Sequence, residues 1–177
     1  MKLIHAAIAA IAMAACSHGG VEVPITRTLA PQTIPGDATA HQLAVSGALP
    51  DAQKLSVEWR LSQAPTDTTG VAWASLSAVR LTIDPPSDGT ATPCWDFVET
   101  VTLRVASTKN GSTLEPVEIA RTTAPGCTQT VTLDTDPNID LSPYAREGFD
   151  LIVTASGIPP ERDVTFGGSY TLTLSVL

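Results

Sequence analysis

Basic side chains are scarce in this sequence of 177 residues. Ten lysines and arginines stand against 18 aspartates and glutamates, which gives a formal net charge of −8 at pH 7. Nucleic acids and anionic lipid head groups are bound through clusters of lysine and arginine, and the sequence contains no such cluster. We therefore expect no nucleic-acid partner, and we interpret the acidity as a contribution to solubility.

Histidine is also rare, which limits the catalytic groups that the chain can assemble. Of the three histidines, only His41 lies inside the segment that we expect to fold. A Ser-His-Asp group through His41 is one alternative, but neither a G-x-S-x-G nor an H-E-x-x-H motif accompanies it. The sequence predicts a protein that is not an enzyme and that has no cofactor.

Aromatic residues make up only 5% of the chain, so few flat rings are available to bind a sugar. Trp59 and Tyr170 occupy apolar positions of alternating segments, and we expect both in the core. Trp73 and Trp95 lack such a clear position and are the candidates for an exposed carbohydrate-binding platform. Packing in the core or at its edge is the competing interpretation for these two.

The one long apolar run of the chain lies at its N-terminus. Lys2 is followed by an apolar segment, residues 3–15, in which His5 is the one polar side chain. A basic start, an apolar segment and small residues before the cut are typical of a secretory signal peptide, which we assign to residues 1–15. The run is shorter than the roughly 20 apolar residues that a transmembrane helix needs.

The residues at the end of this run, "MAAC" at positions 13–16, resemble the lipobox of bacterial lipoproteins. That motif prefers leucine three residues before the cysteine, where this chain has Met13. The resemblance implies that Cys16 receives the lipid and that the protein is exported and anchored to a bacterial membrane. Because Ser17 follows the cysteine, the anchor is expected in the outer membrane if the organism has two. An ordinary secreted protein, cut at the A-x-A sequence of residues 12–14, is the alternative.

The cysteine count agrees with a lipid anchor. The chain has three cysteines, and an odd number leaves one thiol over in an exported protein. If Cys16 is acylated, Cys94 and Cys127 can pair in an oxidising compartment. Closing this loop would stabilise the fold by roughly 3 to 4 kcal/mol. The alternative, a redox or metal-binding pair, lacks C-x-x-C spacing and a histidine partner.

Residues 16–37 are rich in proline and show no helical period, so we interpret them as an extended tether that follows the lipidated cysteine. An alternative is that residues 21–29 add an edge strand to the domain. From residue 38 to residue 177 the sequence predicts one folded domain, a length that suffices for a hydrophobic core.

Apolar and polar residues alternate through most of this domain, which is typical of half-buried strands. The clearest segments are 55–61 and 164–176, and in the second the pair Gly167–Gly168 is expected to mark a bulge. Shorter strands are predicted at residues 41–46, 79–83, 97–105, 117–119, 131–133 and 149–155. About eight strands separated by turns indicate an all-β sandwich or barrel.

One short helix is predicted near residues 142–147. Ser142 is a suitable N-cap, Pro143 suits the first helical position and Gly148 follows the end. The whole pattern resembles the small immunoglobulin-like antiparallel β-sandwiches of uncharacterised bacterial lipoproteins. That resemblance implies a fold and no site residue other than Cys16.

The segment "LDTDPNIDL" places acidic or amide side chains at every second position, namely Asp134, Asp136, Asn138 and Asp140. Oxygen ligands close together suit calcium, but Ile139 and Ala145 stand where an EF-hand loop needs glycine and glutamate. A looser calcium site is one interpretation of the four residues. The other is an ordinary turn followed by a helix start, where negative charge is favoured.

These observations favour a lipid-anchored, non-catalytic protein of the cell envelope with a structural or protein-interaction role. We expect it to contact the membrane through its lipid and to bind another envelope protein. A module that binds carbohydrate or calcium at the membrane surface is the alternative function.

Overall fold

The computed structural model describes residues 21–65, 68–89 and 91–176 of the chain. Eight strands and two short α-helices follow one another along these residues. Their bounds are β1 Val21–Ile34, α1 Ala38–Val45, β2 Leu55–Gln63, β3 Val71–Ile83, β4 Val98–Ser107, β5 Val117–Thr123, β6 Thr130–Leu133, α2 Ser142–Glu147, β7 Phe149–Gly157 and β8 Val164–Val176. The predicted all-β fold with about eight strands is confirmed.

The strands form two antiparallel sheets of four strands each. The order is β1-β8-β3-β6 in the first sheet and β2-β7-β4-β5 in the second. This order is that of an eight-stranded jelly roll, which is built from two Greek keys. The comparison with immunoglobulin-like domains therefore holds for the sandwich architecture, whereas the connectivity is that of a jelly roll.

Alternate side chains of β8 fill the space between the sheets, as the sequence predicts. Phe166, Tyr170 and Leu174 are buried, whereas the threonines between them are partly exposed. Trp95, Tyr170 and Phe149 are the largest of the fully buried side chains. Because each large aromatic ring removes much apolar surface from water, these three residues contribute strongly to the stability of the core.

The predicted bulge at Gly167–Gly168 lies in the neighbouring strands and not in β8. The pairing register shifts in β1 between Leu29 and Gln32, and in β3 after Ser77. β8 stays regular between them, and a Cβ atom at Gly168 would lie 2.3 Å from the carbonyl oxygen of Arg80. Glycine is needed there because a neighbouring backbone approaches closely.

The tether interpretation is wrong for residues 21–34, which form strand β1. This strand pairs with β8 from Val21 opposite Val176 to Ile34 opposite Val164. The edge-strand alternative is therefore the one that the structure supports. Proline is tolerated here because β1 is an edge strand, which needs only half of its backbone donors for the ladder.

The strand predicted at residues 41–46 is also wrong, because these residues belong to α1 and the turn after it. Asp37 caps this helix, and its side chain accepts a hydrogen bond from the backbone N–H of Ala40 at 2.9 Å. Ala40 is the buried residue of the helix. The segment is short, so its apolar residues matched a strand pattern by chance, and the N-cap determined the local structure.

The helix predicted near residues 142–147 is confirmed as α2. Its N-cap is Leu141, one residue before the expected position, and Gly148 with φ +80° follows its end. The backbone N–H of Leu141 donates to the carbonyl of Ala74 at 2.7 Å, which fixes the start of α2 on β3.

The two ends of the sandwich carry different elements. At one end, which we call the N-terminal end, β1 and β3 begin beside the end of β8, because Val21 and Val71 both pair with Val176. α2 docks near this end of β3. The opposite end, which we call the disulfide end, carries α1 and the connections from β3 to β4 and from β7 to β8. Strand β1, with 14 residues, spans roughly 45 Å between the two ends.

Candidate functional site

The disulfide end is held by a covalent bond between Cys94 and Cys127, as the sequence predicts. Their Cα atoms lie 4.9 Å apart, and 33 positions of sequence separate the two residues. The backbone N–H of Trp95 donates to the carbonyl of Thr128 at 2.9 Å, and its indole N–H donates to the carbonyl of Gln129 at 3.2 Å. The segment before β4 is thus fastened to the segment before β6 by one covalent bond and two hydrogen bonds.

The aromatic cluster beneath the disulfide belongs to the core. Trp95 packs edge-on against Phe166 with ring centroids 5.4 Å apart, and Trp59 does the same at 4.8 Å. Trp95 has no exposed surface, so its interpretation as a carbohydrate platform is wrong. Trp59 is partly exposed at the edge of the core, and Tyr170 is buried as expected.

An open groove of about 620 Å³ lies beside the disulfide. Its lining residues are Ala38, His41, Pro93, Cys94, Asp96, Phe97, Pro160, Glu161, Arg162 and Val164. They come from α1, from the segment before β4 and from the connection between β7 and β8. A groove of this volume is in the size range of small-molecule sites, which is about 300 to 1,000 Å³.

Hydrogen bonds between the three walls of the groove fix its shape. The backbone N–H of Asp37 donates to the carbonyl of Pro160 at 2.9 Å, and that of Gly36 donates to the Asp163 carboxylate at 2.8 Å. The Arg162 guanidinium donates to the carbonyl of Ala91 at 2.7 Å and so links the other two walls. These bonds indicate that the groove is preformed.

Gly36 lets the wall that contains α1 approach the β7–β8 connection. A Cβ atom at Gly36 would lie 2.2 Å from the carbonyl carbon of Arg162. Because the obstacle is backbone, no side-chain rotation could relieve this clash. This glycine was not singled out in the sequence, because the close approach joins segments more than 100 residues apart.

The predicted catalytic candidate, His41, lines the groove from α1 and is half-buried. Its Nδ1 lies 3.0 Å from the carbonyl oxygen of Pro159, which is the contact of an N–H donor with a backbone acceptor. This contact supports a structural role, in which the imidazole connects α1 to the β7–β8 connection. His18 lies outside the described residues.

The disulfide end, which carries the groove, is acidic, and Asp96 and Glu161 line the groove itself. The segments that form the disulfide end carry seven acidic residues and two basic ones, Lys54 and Arg162. The acidic residues are Asp37, Asp51, Asp84, Asp88, Asp96, Glu161 and Asp163. Lys54 lies 2.9 Å from the Asp51 carboxylate in an exposed ion pair. The local potential therefore disfavours anionic ligands such as nucleic acid and favours cationic groups.

The acidic segment from Asp134 to Asp140 is occupied by local hydrogen bonds. The Asp140 carboxylate accepts from the backbone N–H and the hydroxyl of Ser142, both at 2.9 Å, and from the N–H of Ala74 at 3.2 Å. Asp136 accepts from the backbone and the side-chain amide of Asn138. These contacts are those of a turn and a helix start, and they favour the structural interpretation over a calcium site.

Within the described parts of the chain, one group of three His, Cys, Asp or Glu side chains has the spacing of metal ligands. It consists of Cys94, Asp96 and Cys127. Because the two sulfurs are bonded to each other, they are not thiolates and cannot bind a metal in this state. The candidate residues Asp134, Asp136 and Asp140 do not form such a group.

A polar cluster that the sequence analysis missed lies near the N-terminal end. The Glu147 carboxylate accepts hydrogen bonds from the hydroxyls of Ser107 and Ser112, each at 2.6 Å, and from Lys109 at 3.3 Å. The serine hydroxyls, and then the lysine charge, lower the pKa of Glu147 because they stabilise the carboxylate. The cluster joins α2 to the connection between β4 and β5.

A smaller cleft of about 290 Å³ opens between the two sheets beside β1. Its lining includes Ile25, Arg27, Phe149 and Tyr170. Burial raises the pKa of the Tyr170 phenol to about 12, although the charge of Arg27 acts in the opposite direction. The phenol is therefore protonated at neutral pH and is not a nucleophile there.

Cys16, the predicted lipid acceptor, lies outside the described residues. The two α-helices of the described part of the chain have eight and six residues, and no helix there is long and apolar enough to cross a membrane.

Comparison with known proteins identifies no family for the chain. No family model matches it, and no curated protein matches it. Among solved structures, the decameric BFDV capsid protein is similar with a TM-score of 0.42 and 12% identity, over 87% of this chain and 98% of that one. The 60-mer of the BFDV capsid protein gives a TM-score of 0.37 and 9% identity, over 88% and 93% of the two chains. Similarity at this level supports no inference about function.

Proposed function

We propose that the chain is an exported, lipid-anchored protein without catalytic activity that presents the disulfide end of its sandwich to another protein of the cell envelope. The observation that carries this proposal is the use of the cysteines. Cys94 and Cys127 bond to each other, so Cys16, at the end of the apolar run, is the one cysteine left for acylation. A disulfide of this kind is typical of exported proteins.

The position of the groove supports an orientation in which the disulfide end faces away from the membrane. A lipid on Cys16 would hold the N-terminal end near the membrane, because β1 starts only five residues later. The groove lies at the opposite end of the sandwich, roughly 45 Å away along β1. A partner could therefore reach it without crowding by the bilayer.

The lining of the groove suggests the chemistry of the partner. Ala38 and Pro93 supply accessible apolar surface over the buried Phe97 and Val164, and Asp96 and Glu161 supply negative charge. A protein segment that combines an apolar side chain with a neighbouring lysine or arginine would complement both features. Because the walls are linked by hydrogen bonds, such a segment would bind without a large ordering cost.

A ligand-binding module is the second candidate, and the volume of the same groove favours it. A ligand that binds the native state must raise its stability. Thermal unfolding with and without glycans or calcium tests this function, and an unchanged melting temperature would count against it.

The lipid anchor is tested by the intact mass of the mature protein from a bacterial host, with Cys16→Ala as the control. We expect a chain that begins at Cys16, carries acyl groups and lacks two hydrogens because of the disulfide. The Cys16→Ala protein should be absent from the lipidated membrane fraction. A wild-type mass without acyl groups would overturn the anchor and leave an ordinary secreted protein.

The partner site is tested by cross-linking in cell envelopes with a matched pair of variants. Ala38 is exposed and lines the groove, whereas Ala52 is exposed at the same end but outside the lining. We expect Ala38→Arg to abolish a specific cross-linked product that Ala52→Arg retains. If both variants keep the product, the groove does not bind the partner.

A further inference from the structure

The start of β1 exposes apolar side chains that continue a row of the core. Val21 is 68% exposed and Val23 is 41% exposed. Both lie on the same face of β1 as Ile25 and Leu29, which pack on the core. Val21 is paired with Val176. The inner face of the first sheet therefore extends beyond the core into solvent at the N-terminal end.

The length of chain before β1 restricts what can cover this surface. Four residues, 17–20, separate Cys16 from Val21. Five Cα-to-Cα steps span at most about 18 Å when fully extended, which is well under half of the length of β1. With a lipid on Cys16, the first residues of β1 cannot move far from the bilayer surface.

We propose that the N-terminal end of the sandwich rests on a zwitterionic membrane surface, with Val21 and Val23 in contact with lipid. This inference rests on the proposed acylation of Cys16. Because the lipid anchor already holds the domain at the surface, the protein meets the bilayer at a high effective concentration. The contact therefore needs little apolar area to form. The contact would orient the groove away from the membrane.

The charges of the same end determine which lipids fit. Glu22 lies between the two valines in sequence, and residues 108–116 and 134–148 at this end carry five acidic side chains against two basic ones, Lys109 and Arg146. This acidic surplus gives no attraction to anionic head groups, so apolar contact must supply the affinity. Trp73 lies near the start of β3 and is partly exposed, as suits an indole ring at a membrane interface.

A second copy of the chain is a poorer occupant of this surface. Pro24 lies in the middle of the exposed part of β1 and has no backbone N–H to donate to a further strand. Proline on an edge strand is a common protection against pairing between copies.

The experiment compares thiol labelling at the two ends of the protein. Val21→Cys and Val45→Cys each introduce one thiol, since the native cysteines are acylated or paired, and Val45 is 74% exposed on α1 at the disulfide end. Each variant is labelled with a polar maleimide, both lipidated in phosphatidylcholine vesicles and unlipidated as its Cys16→Ser form in solution. Intact mass confirms the acyl groups of the first form.

We expect Val21→Cys to react roughly tenfold more slowly in vesicles than in solution, which corresponds to lipid contact for about nine-tenths of the time. Val45→Cys should react equally fast in both. Replacing the lipid with phosphatidylglycerol should weaken the protection of Val21→Cys.

Three results would overturn the inference, and they are distinguishable. Equal labelling rates of Val21→Cys in an acylated protein would remove the membrane contact but leave the lipid anchor. Protection that disappears when the protein is diluted in the vesicles would assign the surface to a second copy. A mass without acyl groups would overturn both this inference and the proposed anchor.

Discussion

The two ends of the sandwich are held together by different kinds of interaction. At the disulfide end, a covalent bond lies above a cluster of buried aromatic rings, and backbone hydrogen bonds connect α1 to the strand connections. Near the N-terminal end, α2 packs Tyr144 and Ala145 on the core and is fastened in addition by a carboxylate, two hydroxyls and a lysine. Both arrangements depend on packing, but the first also depends on the redox state of the cysteines and the second also depends on pH.

This difference bears on the proposed function. An end that presents a preformed groove benefits from rigidity, which reduces the cost of ordering on binding. An end that rests on lipid, as we propose for the N-terminal end, needs exposed apolar side chains such as Val21 and Val23. Substitutions at each end of the sandwich test this difference.

The largest effect is expected for the aromatic cluster of the disulfide end. Trp95→Ala removes a fully buried ring that packs on Phe97 and Phe166, and we expect it to lower the free energy of unfolding by about 3 to 5 kcal/mol. Trp73→Ala, nearer the N-terminal end, removes a partly exposed ring and should cost clearly less. Urea denaturation of both variants measures the difference, and equal losses would show that the two ends do not differ in packing.

The next effect concerns the covalent bond. Replacing Cys94 and Cys127 together by serine should lower the free energy of unfolding by about 3 to 4 kcal/mol, because the unfolded chain regains the entropy of a closed loop. The wild type in a reducing agent should show a similar loss, whereas the double variant should not respond to the reductant. A reductant effect on the double variant would mean that another thiol-dependent process is being measured.

A smaller effect is expected where the wall of the groove approaches backbone. Gly36→Ala places a Cβ atom against the backbone of Arg162, and we expect a loss of about 1 to 3 kcal/mol together with weaker docking of α1. Gly167→Ala is the control, because its Cβ atom would meet its nearest neighbour, the carbonyl oxygen of Leu29, at 3.9 Å. If both alanines cost the same, the close approach at Gly36 does not constrain the fold.

The parts of the fold that the sequence predicted are those with a local pattern or a signal in the composition. Alternation identified the buried face of β8, and the cysteine count identified the pair Cys94 and Cys127. The strand β1 was ambiguous because its prolines are tolerated only at a sheet edge, and the sequence does not show which strand is an edge. The helix α1 was missed because eight residues contain too few turns to distinguish a helical period from an alternating one.

The candidate site was less predictable than the fold, because it is built from long-range contacts. The groove brings His41 beside Cys94 and Arg162, and no local pattern signals that these residues meet. The Glu147 cluster likewise joins residues 35 to 40 positions apart in the chain. Conversely, the alternating acidic residues after β6 gave a strong local pattern, but Asp140 is used to fix the start of α2.

The smallest expected effect concerns the response of the Glu147 cluster to pH. The pKa of this carboxyl is lowered from its usual value of about 4.5, first by the hydroxyls of Ser107 and Ser112. A group whose pKa is lower in the folded state stabilises the fold above its unfolded pKa, and this stabilisation is lost as the pH falls through the folded pKa. The cluster should therefore stabilise the protein fully at neutral pH and progressively less below about pH 4.5.

The variant that isolates this effect is Glu147→Gln, which keeps the shape of the side chain and removes its titration. We expect the variant to be less stable than the wild type at pH 7 and the difference to shrink on acidification, as measured by urea denaturation at a series of pH values. Ser112→Ala should reduce the shift in pKa without abolishing it, because Ser107 and Lys109 still contact the carboxylate. A difference between wild type and Glu147→Gln that is the same at every pH would mean that the cluster acts through packing alone. In that case the two ends of the sandwich would not differ in their dependence on pH.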